Sequence, residues 1–215
     1  MYQDFELVVG LTGLLAAGKD SFCKFLEPHG FVRTRFSDAI REEAARKGVL
    51  NPTRTQLQDL GDHMKKDDNG ILAKLIVKSA RERGLTKIIV NGARHPDEFR
   101  ALRGAVVNDY RFVTVGITAS TGNRYHRYVA RGQAGDAKVT LEEFLAIDDR
   151  DRGIGQPPNG QQTDRTLAMV DWHNLFCNDG THDQFRVWVD EWLTRTRAWQ
   201  EAEHRRKVSE GPFGC

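Results

Sequence analysis

Hydrophobic and polar positions along the 215-residue chain follow two periods. Short apolar or alternating runs at 5–9, 31–36, 87–90, 112–117 and 171–177 read as strands, the first and third buried. Between them apolar residues recur at helical spacing over 21–26, 39–47, 53–66, 71–83, 97–102, 124–130, 141–151 and 161–170. A long amphipathic helix is expected after Thr181, with Phe185, Trp188, Val189 and Trp192 as its stripe, which reads as core or interface rather than a base-stacking surface. Ser37-Asp38 and Thr140 are placed to cap the helices that follow them, and Gly48 and Gly84 to end others. Residues 132–140 read as an exposed loop, 153–160, with two prolines and three glycines, as irregular, and the chain from about Ala202 as a polar, frayed tail.

Strands alternating with helices predict an α/β, three-layer α/β/α architecture on a five-stranded parallel sheet. In such sheets ligands bind beyond the carboxyl ends of the strands. The segments at those ends are residues 10–21, Ser37-Asp38, 91–94, the loop at Thr118 and 178–181, and all five are expected on one rim. The first of them, Gly-Leu-Thr-Gly-Leu-Leu-Ala-Ala-Gly-Lys-Asp-Ser, lies between a strand and a helix, the context of a phosphate-binding P-loop. Gly13 and Gly18 allow the backbone to turn its N–H groups inward, and Lys19 and the helix N-terminus add positive field. The residue after the lysine is Asp20 rather than the usual hydroxyl, with Ser21 one later; both are oxygen ligands, so Mg²⁺ remains compatible.

Charge narrows the choice of ligand. With 32 Lys+Arg against 30 Asp+Glu there is no general field for nucleic acid or a membrane surface, so local arginines must recognise any anion. Arg124, Arg127 and Arg131 recur at spacings of three and four beside the 132–140 loop, an arrangement suited to a lid or, alternatively, to a solvated helix face. Arg94 follows a strand on the ligand rim, where a guanidinium can grip an acceptor phosphate. Asp38 is a helix cap, a ligand, or both; were the acceptor a hydroxyl it would be the best-placed general base. His95, His126 and His173 show no metal spacing and read as structural or surface residues. Three separated cysteines give neither a disulfide frame nor a zinc pattern, and Cys23 and Cys177 read as core. No run of some 18 apolar residues suggests a membrane span, and Met1-Tyr2-Gln3-Asp4 does not open like a signal peptide, so a reducing cytoplasm is the expected setting.

Several stretches taken together, at 10–21, 36–43 (Phe-Ser-Asp-Ala-Ile-Arg-Glu-Glu), 91–98 (Asn-Gly-Ala-Arg-His-Pro-Asp-Glu), 124–132, 140–145, 161–165 and 178–181, resemble the P-loop nucleoside and deoxynucleoside monophosphate kinases. The group includes the phage-type deoxynucleoside monophosphate kinases, whose lysine is also followed by Asp, and dephospho-coenzyme A kinase-like relatives. The resemblance covers about residues 5–195 and implies a P-loop kinase fold with a small lid. It implies one kinase domain over 1–200, with an acceptor-binding helical region at about 38–84 and a lid at about 124–150, then a polar tail over 201–215. It further implies ATP and Mg²⁺ as cofactors and transfer to a (deoxy)nucleoside monophosphate, with a deoxynucleotide favoured. The ATP site would comprise Gly13, Leu14, Ala16, Ala17, Gly18, Lys19, Asp20, Ser21 and Arg124, with Asn178 and Gly180 beside the adenine. Asp38, Arg41, Arg94 and Gln161 would bind the acceptor; Lys19, Arg127, Arg131 and Asp38 would be catalytic; Asp20 and Ser21 would hold the metal. Partners are then small nucleotides, with nucleic acid only as a modified-base substrate, and a homodimer through the last helix stays open. Two departures stand out: Asp20 itself, and Asn91 where many relatives have an acidic residue.

Overall fold

The computed structural model describes residues 5–106, 108–131 and 139–210. Five parallel strands form one sheet in the order β2-β3-β1-β4-β5, where β1 is Leu7–Gly13, β2 Val32–Arg35, β3 Lys87–Ala93, β4 Phe112–Thr118 and β5 Leu175–Cys177. Alternation along β1 feeds two cores, as period-2 side chains require. Leu7, Val9 and Leu11 pack with α1 (Lys19–Leu26) and α9 (His182–Glu210), while Val8 faces α4 (Ile71–Glu82) and α5 (Pro96–Gly104). Gly10 is also on the second face, where a Cβ would come within 2.8 Å of Phe99. The three-layer α/β/α arrangement expected from the pattern is therefore present, and so is the shared rim at the carboxyl ends. There Asn91 contacts Asp20 and the Asn178 amide nitrogen reaches the Ala17 carbonyl.

The remaining helices are α2 (Phe36–Arg46), α3 (Arg54–Lys65), α6 (Thr121–Ala130), α7 (Leu141–Arg152) and α8 (Thr163–Leu167). Thr140 caps α7 as expected, exchanging bonds with Glu143. Several boundaries moved. Asp38 lies in the first turn of α2, where its carboxylate accepts from the Arg35 amide at 3.1 Å, so it is not the cap itself. β5 begins only at Leu175, because Asp171 turns the preceding residues by accepting from the His173 amide at 3.0 Å. Helix α8 is shorter than the expected 161–170 stretch. Helix α9 does not fray near Ala202. It continues to Glu210, held where Gln200 donates to the Glu6 and Tyr110 carbonyls and His204 meets the Tyr110 hydroxyl. Its stripe is core: Phe185, Val189 and Trp192 are buried, and Trp188 stacks on Phe176 at 4.5 Å. Cys23 is buried as expected, and burial pushes its thiol up to about 12. Cys177, expected in the core, is instead exposed at the end of β5, the edge strand of the sheet. The loop expected at 132–140 lies mostly outside the described residues, as do residues 211–215 of the polar tail. Among the described residues no helix is long and apolar enough to cross a membrane.

Candidate active site

The P-loop runs from the end of β1 into α1 and is shaped by three positive-φ residues. Gly13 (φ 150°) leaves no room for a side chain, since a Cβ would collide with the Ile117 carbonyl. Ala16 (φ 58°) adopts the left-handed region without being glycine, a strain typical of a functional turn. At Gly18 (φ 112°) a Cβ would land on the Asn178 amide, which anchors the loop from beneath through its 2.9 Å bond to Ala17 O. Lys19 Nζ folds back to donate to the carbonyls of Gly13 (2.6 Å) and Leu14 (2.8 Å). Desolvation, and next the nearby Arg94 charge, push its pKa down to about 8.

A cleft of about 510 Å³ opens over this loop, lined by residues 15–21, Arg35, Phe36, Ser37, Asn91, Gly92, Arg94, Arg127 and Arg131. It gathers five cations, Lys19, Arg35, Arg94, Arg127 and Arg131, against one carboxylate, Asp20, among the described residues. Two hollows of similar size, 570 Å³ between α4 and α5 and 480 Å³ beside Trp199, lack the loop; in the former, Lys74 and Arg100 already pair with Asp68 and Asp97. At the P-loop cleft Arg127 Nη1 is buried and has no hydrogen-bond partner among the described residues. A buried guanidinium N–H left unbonded is costly, and an anion in the cleft would satisfy it. Arg131 lies over the Tyr128 ring at 4.2 Å, beside the same opening.

Arg94 is aimed by its surroundings. A register shift between Leu11 and Thr12 makes Gly92 (φ 91°) the extra residue of a bulge at the end of β3, the kind of kink that redirects side chains beside active sites. The Arg94 amide donates to Glu98 Oε2 at 2.7 Å, and its carbonyl accepts from the Gln162 amide at 2.6 Å. Its side chain, 44% exposed, pairs through Nε with nearly buried Asp151 at 3.0 Å. Burial pushes Glu98 up to about 7 despite the two backbone N–H groups it accepts.

Other sequence-expected site residues lie elsewhere. Arg124 is not on an open face: it is buried and bidentate to Asp148 at 2.5 and 2.8 Å, and donates to the carbonyls of Ala119 and Leu15. Asn178 is beneath the P-loop, Gly180 is exposed beyond it, and neither lines the cleft. Leu14 gives its amide to Ile117 O at 3.1 Å, away from the cleft. Asp38 and Arg41 form an exposed pair 3.5 Å apart outside the lining, and Gln161 is outside it too. Conversely, the sequence did not single out Asp148 and Asp151. Their signal was spacing: with Phe144 they form an i, i+4, i+7 stripe, and all three are buried on the inner face of α7. Arg33 and Arg35, on β2 and facing Asp20 at 3.0 and 3.8 Å, were hidden in an alternating strand.

Fold and cleft together define a P-loop α/β domain of the kinase-like type. A family model described as an AAA domain matches residues 9–145, and the chain belongs to that family. UPF0200 protein TK1334 of Thermococcus kodakarensis is 26% identical over 188 residues, covering 85% of this chain and 94% of the relative. UPF0200 protein PH1008 of Pyrococcus horikoshii is 28% identical over 193 residues, covering 88% and 97%. Two solved structures share the fold: TT1252 from Thermus thermophilus (TM-score 0.53, 14% identity, 91% of this chain and 98% of that one) and a putative kinase from Chloroflexus aurantiacus (TM-score 0.51, 14% identity, 91% and 99%).

Proposed function

We propose that this chain is an ATP- and Mg²⁺-dependent phosphotransferase of the reducing cytoplasm that converts a (deoxy)nucleoside monophosphate to its diphosphate. The observation that carries this reading is the P-loop cleft itself, where five cations meet one carboxylate and one of the five, Arg127, has a buried Nη1 with no bond among the described residues. Phosphoryl transfer is mostly positioning and neutralisation of oxygen charge, which such a cleft supplies. In this reading the amides of the P-loop cradle the ATP phosphates, and Lys19 leaves its two carbonyls for the transferring group. Arg94, steadied by Asp151, holds the acceptor phosphate. Arg127 and Arg131 close over the transferring group, with the lid at about 124–150 and the acceptor region at about 38–84.

The donor set near Lys19 fits a magnesium ion, which takes oxygen ligands and keeps several waters. Asp20 and Ser21 both line the cleft. Bound there, the ion would neutralise phosphate oxygens. A phosphate acceptor also agrees with the scarcity of bases: Asp20 is engaged by Arg33 and Asn91, and Asp38 is outside the lining. A hydroxyl acceptor would need a general base there.

The test offers γ-labelled ATP with every ribo- and deoxynucleoside monophosphate, and with dephospho-coenzyme A and duplex DNA alongside. Labelled diphosphate from the wild type, absent with Lys19→Ala, is the expected result. Label on coenzyme A or DNA alone would replace the acceptor. Tight ATP binding with no transfer to any acceptor would make the chain a nucleotide-binding regulatory module instead.

A further inference from the structure

Two side chains on the cleft floor carry chemistry in an inverted order. In P-loop phosphotransferases generally, the metal beside the triphosphate is held by a hydroxyl that follows the lysine and by an aspartate from a separate strand segment. Here the carboxylate follows the lysine, as Asp20 in the first turn of α1, and the end of β3 carries a neutral amide, Asn91. The two side chains touch, with Asn91 Nδ2 donating to Asp20 Oδ1 at 3.0 Å. Arg33 Nη1 donates to that same oxygen at 3.0 Å, and Arg35 stands 3.8 Å from it. The bonds therefore converge on Oδ1, and among the described residues none reaches Oδ2. Asn91 is 9% exposed, and its Oδ1 is buried without a partner among the described residues. An acceptor left empty in a nearly buried side chain, on the wall of the cleft that holds Lys19, calls for a donor brought by a ligand. A cation that keeps its waters brings such donors.

We propose that Asp20 and Asn91 have exchanged the two metal-holding roles. Asp20 supplies the single negative charge from the N-terminus of α1, where the helix dipole favours it, and Asn91 Oδ1 supplies the neutral oxygen from β3. The proposal rests on the phosphotransferase reading and deepens it by naming the residue pair that holds the cation of ATP. It also explains why residue 91 is not acidic. A carboxylate at that position would meet Asp20 at hydrogen-bonding distance, and two like charges in contact cannot both stay ionised cheaply. Arg33 and Arg35 then have a defined purpose. They fix the carboxylate through one oxygen and leave the other without a bond among the described residues.

The experiment measures Mn²⁺ binding by electron paramagnetic resonance, with a non-hydrolysable ATP analogue and no acceptor present. Affinity for the analogue in EDTA is read in parallel. Asn91→Ala is expected to weaken Mn²⁺ binding about tenfold or more, a larger change than in its metal-free nucleotide affinity, and measurable binding in EDTA reports that the variant is folded. Asn91→Asp and Asp20→Ser should each weaken it, and the double variant Asp20→Ser/Asn91→Asp should recover most of the loss. Wild-type Mn²⁺ affinity in Asn91→Ala overturns the proposal, as does a double variant that binds no better than Asp20→Ser alone. Should Asn91→Ala not fold, that second comparison decides. The readout needs no acceptor, so the expected pattern together with a negative transfer screen supports the metal pair while removing the kinase reading. A wild-type protein that binds neither the analogue nor Mn²⁺ in its presence removes both.

Discussion

Replacing Asp148 by Asn tests whether α7 is fastened to α6 and the P-loop by one buried ion pair. The carboxylate is 2% exposed and the Arg124 side chain 3% exposed, so neither charge reaches bulk water. Asp148 takes both Nη1 and Nη2 of Arg124, while the remaining donor contacts of that guanidinium go to the Ala119 and Leu15 carbonyls. An Asn side chain keeps one acceptor, loses the charge and places an amide N–H where the guanidinium already donates. Arg124 would then be a buried cation without a counter-charge, for which the expected loss is about 3 kcal/mol, the lower end of the range for breaking buried pairs. In a chain of this size that lowers Tm by about 6–12 °C. The control is Asp149→Asn, one residue away, which faces Arg152 at 3.6 Å with both side chains more than a third exposed. Its expected loss is under about 0.5 kcal/mol. The double variant Arg124→Met/Asp148→Leu should regain more than half of the loss, because an apolar pair removes the stranded charge rather than creating one. Urea unfolding of the four proteins at constant pH is the assay. Equal midpoints for Asp148→Asn and Asp149→Asn would refute the reasoning, since burial would then have made no difference.

Three further outcomes are expected. Gly18→Ala combines a positive φ with a Cβ placed on the Asn178 amide; it should cost about 1–3 kcal/mol and weaken ATP binding, and a variant with native Tm and affinity would count against the described loop. ATP affinity should fall as pH rises through about 8: the free protein then loses the Lys19 proton, whereas bound phosphate favours the charged ammonium, so binding must take up a proton. Calorimetry in buffers of different ionisation enthalpy would detect that uptake, and its absence at pH 9 would place Lys19 away from the phosphates. Arg94→Ala should raise the acceptor KM or lower kcat while ATP affinity stays nearly unchanged; an equal loss of ATP affinity would put Arg94 on the donor side.

What the sequence determined by itself were the local and periodic features. Strand and helix order followed from where apolar residues repeat by two or by 3.6. The P-loop was legible because its glycines, lysine and flanking elements are contiguous. The shared rim followed from parallel topology alone, and with it the placing of Arg94; helical spacing and the family resemblance put Arg127 and Arg131 opposite Lys19, and all four line one cleft. Only the tertiary structure could separate three arginines that look equivalent at helical spacing in α6 and at its C-terminal cap. Arg124 is spent on Asp148, Arg131 rests on Tyr128, and Arg127 keeps a buried nitrogen without a bond among the described residues. The same holds for Asp151 behind Arg94 and for Asn91 against Asp20, pairs 57 and 71 positions apart. A helix pattern records which face is wet, but it does not record which distant charge arrives to meet a buried one. That is settled by how the layers close over the sheet, and here it decides which cations remain for a ligand.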